Sequence, residues 1–167
     1  VIDAAIYRMQ RPKCSLEELM EILPGPDFPT GGIVMGKKGI VDAFTTGKGR
    51  VVIRARTEIV TGKTCNQIII REIPYEVIKS SMVRKMDDIR LSREIEGIMD
   101  IRDETDRTGL RIVIDVKKDA DPNVILNYFY KNTDLQIYYS YNMVSIVNKR
   151  PVQMGLIGML DAFIAHR

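Results

Sequence analysis

The stretch that decides the fold runs from Arg50 to Ile73 and reads RVVIRARTEIVTGKTCNQIIIREI. β-Branched residues dominate both of its ends, and apolar and polar residues alternate in its first half, as in a strand with one buried face. The segment Thr61–Thr64, TGKT, has the composition of a turn, and Pro74 ends the second run. The sequence therefore predicts a β-hairpin whose strands are Arg50–Val60 and Cys65–Ile73.

Helical patterns flank this hairpin on both sides. Ser15 followed by Glu18 forms the signature of a capping box, and Asp121 followed by Pro122 marks another helix start. Gly47 is placed to end a short helix. Helices are expected at residues 1–10, 15–23, 39–47, 77–93 and 121–130 and from about Met154, with further strands at 33–36, 97–106, 109–118 and 135–154, the last interrupted by a turn near Asn148. This order predicts an α+β fold, an antiparallel or mixed sheet with packed helices.

Composition excludes several classes of protein. With 167 residues, 45% of them hydrophobic, the chain is long enough to bury a core. No run of apolar residues is long enough to span a membrane. Cys14, Cys65 and the single histidine, His166, are too few and too scattered for a zinc site, which favours two free thiols in a reducing cytoplasm. The chain lacks an initiator methionine and has helical patterns at both ends, so we expect a piece of a longer protein.

A loop rich in proline and glycine precedes the predicted sheet. Residues 23–32, LPGPDFPTGG, contain three prolines and three glycines, which excludes both a helix and a central strand. Gly31, Gly36 and Lys37 match the spacing of a phosphate-binding loop, but Lys38 stands where that loop needs a Ser or Thr hydroxyl. We therefore expect a rigid structural connector. Its residues are Pro24, Gly25, Pro26, Asp27, Phe28, Pro29, Gly31 and Gly32.

The acidic stretch Asp100–Asp106, DIRDETD, raises the possibility of a metal site. Calcium loops place oxygen ligands at alternating positions, and here that spacing from Asp103 reaches Arg107, which would repel a cation. A polar hairpin turning at Asp106–Gly109, with its aspartates paired to arginines, is the favoured interpretation. No metal ligand is assigned.

Basic residues are concentrated between positions 37 and 56. This segment contains six of them and one acid, Asp42, an excess larger than the net charge of +3 of the whole chain. Because alternate residues of a strand share a face, the arginines should lie opposite Val51 and Ile53 and form a stripe that suits a phosphate backbone. A merely solvated sheet face remains open. No aromatic residue is interleaved among the arginines of residues 50–56, which favours duplex over single-stranded nucleic acid. The candidate DNA contacts are Lys37, Lys38, Lys48, Arg50, Arg54 and Arg56.

Five ordered motifs carry a family resemblance that extends from Ile2 to Arg167. They are GPDFPTGG, TGKGRVVIRA (46–55), EIPYEV-x-K (72–79), RDETDRTGLRI (102–112) and NMV (142–144). In these motifs the chain resembles the A subunit of bacterial type IIA DNA topoisomerases, a family that includes DNA gyrase A and the topoisomerase IV A subunit (ParC). The residues within and near the motifs look more like those of topoisomerase IV than those of gyrase. The resemblance implies a tower domain over residues 1–153, with the junction loop at 25–32, and a helix from 154–167 leading to the coiled-coil arm.

The resemblance also implies the setting in which such a domain works. Two A subunits and two ParE- or GyrB-type subunits form an enzyme that passes one DNA duplex through another, decatenating or relaxing it, and the latter subunits bring ATP and Mg²⁺. The family's catalytic tyrosine lies in an A-A-x-R-Y-T context that none of the seven tyrosines here has. No catalytic residue and no cofactor is therefore assigned to this chain, which alone should be inactive.

The role implied for this chain is to support and contact the bent double-stranded gate DNA through the six basic residues, in the bacterial cytoplasm at the nucleoid. Two other classes remain open. One is a stand-alone nucleic-acid-binding module with a ferredoxin-like sheet, and the other is a purely structural interaction domain.

Overall fold

The computed structural model describes all 167 residues and confirms the predicted α+β fold. It contains six helices and nine strands, which the following ranges define in chain order. They are α1 Ile2–Gln10, α2 Leu16–Ile22, β1 Ile33–Met35, α3 Lys38–Thr46, β2 Lys48–Arg54, β3 Arg56–Thr61, β4 Cys65–Glu72, α4 Lys79–Ser92, β5 Ile98–Asp103, β6 Ile112–Lys117, α5 Pro122–Asn132, β7 Gln136–Asn142, β8 Val144–Val147, β9 Arg150–Gln153 and α6 Leu156–His166. None of the helices combines the length and apolar character needed to cross a bilayer.

The chain divides into two compact units. The first consists of Val1–Asp27, Met35–Val52 and Tyr138–Arg167, and the second of Phe28–Val34 and Ile53–Ile137. The chain passes from one unit to the next within the proline- and glycine-rich loop and within strands β1, β2 and β7. A three-stranded sheet has the strand order β1-β2-β7.

The second unit is built on an antiparallel sheet of strand order β3-β4-β6-β5. Its central strands carry isoleucines at alternate positions, so that one face is apolar, and Ile68 lies opposite Ile114 in the register. Side chains of α4 and α5 pack on this face and complete a core from which water is excluded. The fully buried members of this core include Ile68, Ile70, Met82, Met86, Ile89, Ile112, Ile114, Ile125 and Phe129.

The first unit packs helices α1, α2, α3 and α6 with the hairpin β8–β9. Small residues on α1, Ala4 and Ala5, are buried, and α1 contacts α6. Arg8 of α1 donates to both carboxylate oxygens of Asp161 on α6, at 2.8 and 3.0 Å. Its hairpin turns through Asn148 and Lys149, both with positive φ, as the sequence predicted near Asn148.

Local signals at the ends of the helices were predicted correctly. Ser15 and Glu18 form a reciprocal capping box at the start of α2. Asp121 caps α5 through the backbone N–H of Asn123, with a proline at the first turn. Gly47 ends α3 in the left-handed conformation at a φ of 85°. These motifs are local in sequence and require no tertiary partner to be recognised.

The prediction of one continuous strand from Arg50 to Val60 is wrong. Strand β2 ends at Arg54 and β3 begins at Arg56, and the two belong to different sheets. At the break the backbone N–H of Ala55 donates to the carbonyl of Leu135 at 2.8 Å, and the β3–β4 register shifts between Arg56 and Thr57. The chain therefore changes its hydrogen-bonding partner at Ala55, and the observed hairpin is β3–β4.

The acidic stretch forms the polar hairpin that the sequence predicted, turning through a bridge between Asp106 and Gly109. Arg102 donates to Asp115 on β6 and lies 3.3 Å from Glu104, which also accepts from Arg111 at 3.0 Å. Chiefly because Arg102 donates to it, the pKa of Asp115 lies below its ordinary value. The predicted pairing with arginine is found for Asp100 and Glu104, whereas Asp103 pairs with Lys79 at 2.9 Å and Asp106 accepts from Thr108. No group of three or more His, Cys, Asp or Glu side chains is arranged to hold a metal ion.

Candidate nucleic-acid interface

Three lysines of the basic segment lie at the two ends of α3. Lys37 and Lys38 are at its N-terminus, and Lys48 begins β2 just after it. All three side chains are exposed, and none takes part in an ion pair or a side-chain hydrogen bond. Cations at the N-terminus of a helix oppose the helix dipole. The positions of Lys37 and Lys38 are therefore unfavourable unless an anion lies near them.

Arg50 on β2 stacks on an aromatic ring of the neighbouring strand. Its guanidinium carbon lies 4.2 Å from the ring centroid of Tyr138 on β7. Tyr138 is 63% exposed, so this pair is open to solvent. Arg50 has no hydrogen bond or ion pair with another side chain. All five of its N–H donors thus remain available to an anion.

Arg54, at the end of β2, is held by specific neighbours. Its Nε donates to Oε1 of Gln136 at 2.8 Å, and its guanidinium carbon lies 4.3 Å from the ring centroid of Tyr130. The hydroxyl of Tyr130 is itself 3.0 Å from Oγ1 of Thr57. The two Nη groups of Arg54 have no partner in the protein. The side chain of Arg54 is therefore held in one orientation, while its two Nη groups stay free to bind an anion.

Arg56 differs from the other two arginines because it faces a carboxylate. Its Nε lies 3.4 Å from Oε2 of Glu72. That same oxygen accepts the backbone N–H of Gly32 at 2.7 Å. Since Glu72 compensates its charge, Arg56 is the member of the basic set least available to an external anion.

Glu72 also anchors the proline- and glycine-rich loop, which contains neither helix nor strand, as predicted. Gly31 and Gly32 have φ values of 74° and 100°, which disfavour any residue with a Cβ. A Cβ at Gly31 would lie 2.6 Å from the carboxyl carbon of Glu72. Phe28 stacks against Tyr75 with ring centroids 5.6 Å apart. This part of the loop is therefore held by specific contacts within the second unit.

The structure does not support a phosphate-binding loop at this position. Strand β1 occupies Ile33–Met35, between Gly31 and Gly36, where such a loop would have to curve around a phosphate. Gly25, earlier in the connector, faces the side chain of Ile40, which lies 3.0 Å from a Cβ built at that glycine.

The three arginines predicted to share one strand face do not lie on one continuous strand, because β2 ends at Arg54 and β3 begins at Arg56. Of the six basic residues, four belong to the first unit (Lys37, Lys38, Lys48 and Arg50) and two belong to the second (Arg54 and Arg56). The predicted alternation itself is confirmed, because Val51, Ile53 and Ala55 are buried while Arg50 and Arg56 are exposed.

Sequence reasoning missed the tyrosines under the arginines. No aromatic residue lies between Arg50 and Arg56 in the sequence, yet Tyr130 and Tyr138 reach Arg54 and Arg50 from α5 and β7. The only available signal was the aromatic-rich stretch Tyr128–Tyr141. Nothing local links that stretch to the arginines, because the contacts depend on the tertiary fold.

Comparison with known proteins gives a family for the whole chain. The family model for the A subunit of DNA gyrase/topoisomerase IV matches residues 1–167. The A subunit of DNA topoisomerase 4 from Bacillus subtilis (strain 168) is 56% identical over 168 residues, covering 100% of this chain and 21% of that protein. The protein of the same name from Streptococcus pyogenes serotype M18 is also 56% identical, with 100% of this chain and 20% of the relative covered.

The corresponding protein of Staphylococcus epidermidis is 48% identical over 170 residues, covering 100% of this chain and 21% of the relative. The chain thus spans about a fifth of the length of the curated relatives it matches. The motifs, the α+β fold and these matches agree with one another, and the chain belongs to the family of DNA gyrase and topoisomerase IV A subunits.

Proposed function

We propose that this chain is the tower region of the DNA breakage–reunion subunit of a topoisomerase IV-type enzyme, where it supports and contacts the bent gate duplex. The observation that carries the proposal is the set of contacts made by Arg50 and Arg54. Both guanidinium groups lie over tyrosine rings and keep N–H donors without a protein partner. Membership of the family supplies the setting, and the geometry favours a phosphate ligand.

A phosphate backbone is the anion that fits this arrangement best. The guanidinium fork binds phosphate oxygens through two N–H groups at once. Such contacts carry no base information, which suits an enzyme that must act at crossings of any sequence. Three further positive charges without a protein partner can bind phosphates in the same way, those of Lys37, Lys38 and Lys48.

The loop at 25–32 serves, in this proposal, as the junction from which the chain enters the sheets. Bending a duplex site smoothly costs of order 1–6 kcal/mol, so contacts on mobile supports would be used inefficiently. Glu72 and the left-handed glycines restrict the part of the loop that adjoins β1. Residues 1–153 would form the tower, and α6, within 154–167, would lead toward the coiled-coil arm.

The chemistry of strand breakage is assigned elsewhere in the enzyme. We infer a homodimer of A subunits joined to two ParE- or GyrB-type subunits, with ATP and Mg²⁺ bound through the latter. None of the tyrosines of this chain has the sequence context of the family's nucleophile. The part played by this chain is to position DNA, and strand passage, with decatenation or relaxation, belongs to the assembled enzyme at the bacterial nucleoid.

The test is a matched charge reversal. Arg50→Glu with Arg54→Glu is compared with Arg84→Glu with Lys85→Glu, which changes the charge equally at two exposed residues of α4. Binding of a duplex of about forty base pairs is measured by fluorescence anisotropy across a range of salt concentrations. We expect the first pair to reduce the salt slope by about two units and the control pair to leave it nearly unchanged. Equal reductions would refute a contact specific to Arg50 and Arg54, and an unchanged slope in both pairs would favour a purely structural domain.

A further inference from the structure

We propose that Tyr138 and Tyr130 are positioning residues that hold Arg50 and Arg54 ready for phosphate, an inference that rests on the proposed DNA contact. A free arginine side chain samples many rotamers and loses that freedom when it binds. A ring that already holds the guanidinium group removes part of this cost before DNA arrives. The tyrosines would then raise affinity without touching the DNA themselves.

The contacts leave N–H groups without a protein partner on both arginines: all five on Arg50 and the two Nη groups on Arg54. In a stacked cation–π contact the ring meets the face of the guanidinium group, whereas the N–H bonds lie in the guanidinium plane. At 4.2 Å from the ring of Tyr138, Arg50 is within the range of such a contact, and it makes no competing hydrogen bond. The ring therefore restrains Arg50 without consuming the donors that a phosphate would need.

Arg54 has the more complete support. Tyr130 lies on one side of it, the Thr57 hydroxyl lies 3.0 Å from the Tyr130 hydroxyl, and Gln136 accepts the Nε–H. Only the two Nη groups of Arg54, at the end of its guanidinium group, remain without a protein partner. This arrangement is suited to a two-point contact with phosphate oxygens.

Two other arginines show that the arrangement is not general in this chain. Arg56 has a carboxylate partner, Glu72, and so is already neutralised. Arg11 lies 4.8 Å from the ring centroid of Tyr7, but it also donates to the Tyr7 hydroxyl at 2.7 Å, as residues four apart on a helix can. The Arg11–Tyr7 pair thus provides a matched control for removing a ring.

The test uses Tyr138, because this residue is 63% exposed and its replacement leaves no cavity. Tyr138→Val keeps a strand-forming residue but removes the ring, and Tyr138→Phe keeps the ring. Duplex affinity of the 167-residue chain is measured by anisotropy for both variants, for Arg50→Gln, and for Arg50→Gln combined with Tyr138→Val. Tyr7→Leu is the ring-removal control, and circular dichroism melts check that each variant is folded.

We expect Tyr138→Val to weaken binding by about two- to fivefold, the factor given by an exposed cation–π contact, and Tyr138→Phe to retain most of the affinity. The double variant should bind no more weakly than Arg50→Gln alone, because Tyr138 acts through Arg50. Tyr7→Leu should bind like the unmodified chain.

The two proposals fail in distinguishable ways. If Arg50→Gln weakens binding and reduces the salt slope, but Tyr138→Val does not weaken it or acts additively, Arg50 contacts DNA and the positioning role is refuted. If Arg50→Gln changes neither the affinity nor the salt slope, the DNA contact proposed for Arg50 fails, and the positioning role fails with it.

Discussion

Replacing Gly31 by alanine tests whether Glu72 holds the junction loop. An alanine would have to adopt the φ of 74° seen at Gly31, which costs an L-residue about 1–2 kcal/mol. Its Cβ would also lie 2.6 Å from the carboxyl carbon of Glu72 and displace that carboxylate. The charge-assisted bond from the Gly32 N–H, worth about 1.5–3 kcal/mol when fully formed, would then be weakened or lost.

Because Glu72 is partly exposed, we take the lower part of these ranges and expect Gly31→Ala to destabilise the fold by about 3 kcal/mol. Gly36→Ala is the matched control, since Gly36 has a φ of 79° but no atom within 4 Å of its Cβ position. It should cost only the conformational part, about 1–2 kcal/mol.

The assay is urea unfolding followed by circular dichroism, with both variants also made in a Glu72→Ala background. There the extra cost of Gly31→Ala should disappear, because no carboxylate remains to clash. A cost for Gly31→Ala no larger than that for Gly36→Ala, or one that is unaffected by removing Glu72, would refute this role of Glu72.

Two further predictions concern stability. The pKa of Asp115 is lowered chiefly by the hydrogen bond from Arg102, so its ionised form stabilises the fold above about pH 4, and this contribution is lost as the pH falls through the folded-state pKa. Asp115→Asn should therefore lower the free energy of unfolding by about 1–2 kcal/mol at pH 7 and by progressively less below pH 4. Urea unfolding at several pH values measures this loss, and a loss that is independent of pH would contradict the assignment. Ser15→Ala should destabilise the chain by about 1 kcal/mol in thermal or urea unfolding, because it removes the N-cap of α2, whereas Ser15→Thr should recover most of that loss; equal losses in the two variants would contradict a capping role.

Features set by neighbours in sequence were predictable. The capping box at Ser15, the left-handed Gly47 and the turn at Asn148 each depend on two to four consecutive residues, and all three are present. The hairpin predicted before Pro74 is also present, but its first strand begins at Arg56 and not at Arg50. The α+β class followed from such local patterns.

Features set by distant partners were not predictable. Nothing in the alternating run around Ala55 reveals that its N–H pairs with Leu135 and that the chain changes sheets there. For the same reason, composition could place Arg50, Arg54 and Arg56 in one basic segment but could not distinguish the two stacked on tyrosines from the one paired with Glu72. Their different availability to an anion is a tertiary property.

The most direct test of the central claim is the salt dependence of duplex binding by the unmodified chain. Five basic side chains, Lys37, Lys38, Lys48, Arg50 and Arg54, keep N–H donors without a protein partner. If three to five of them reach phosphates, a plot of log K against log salt concentration should fall with a slope of about −3 to −4.5. A slope near zero, or no binding at low salt, would contradict the account and leave this chain as a scaffold without a DNA contact of its own.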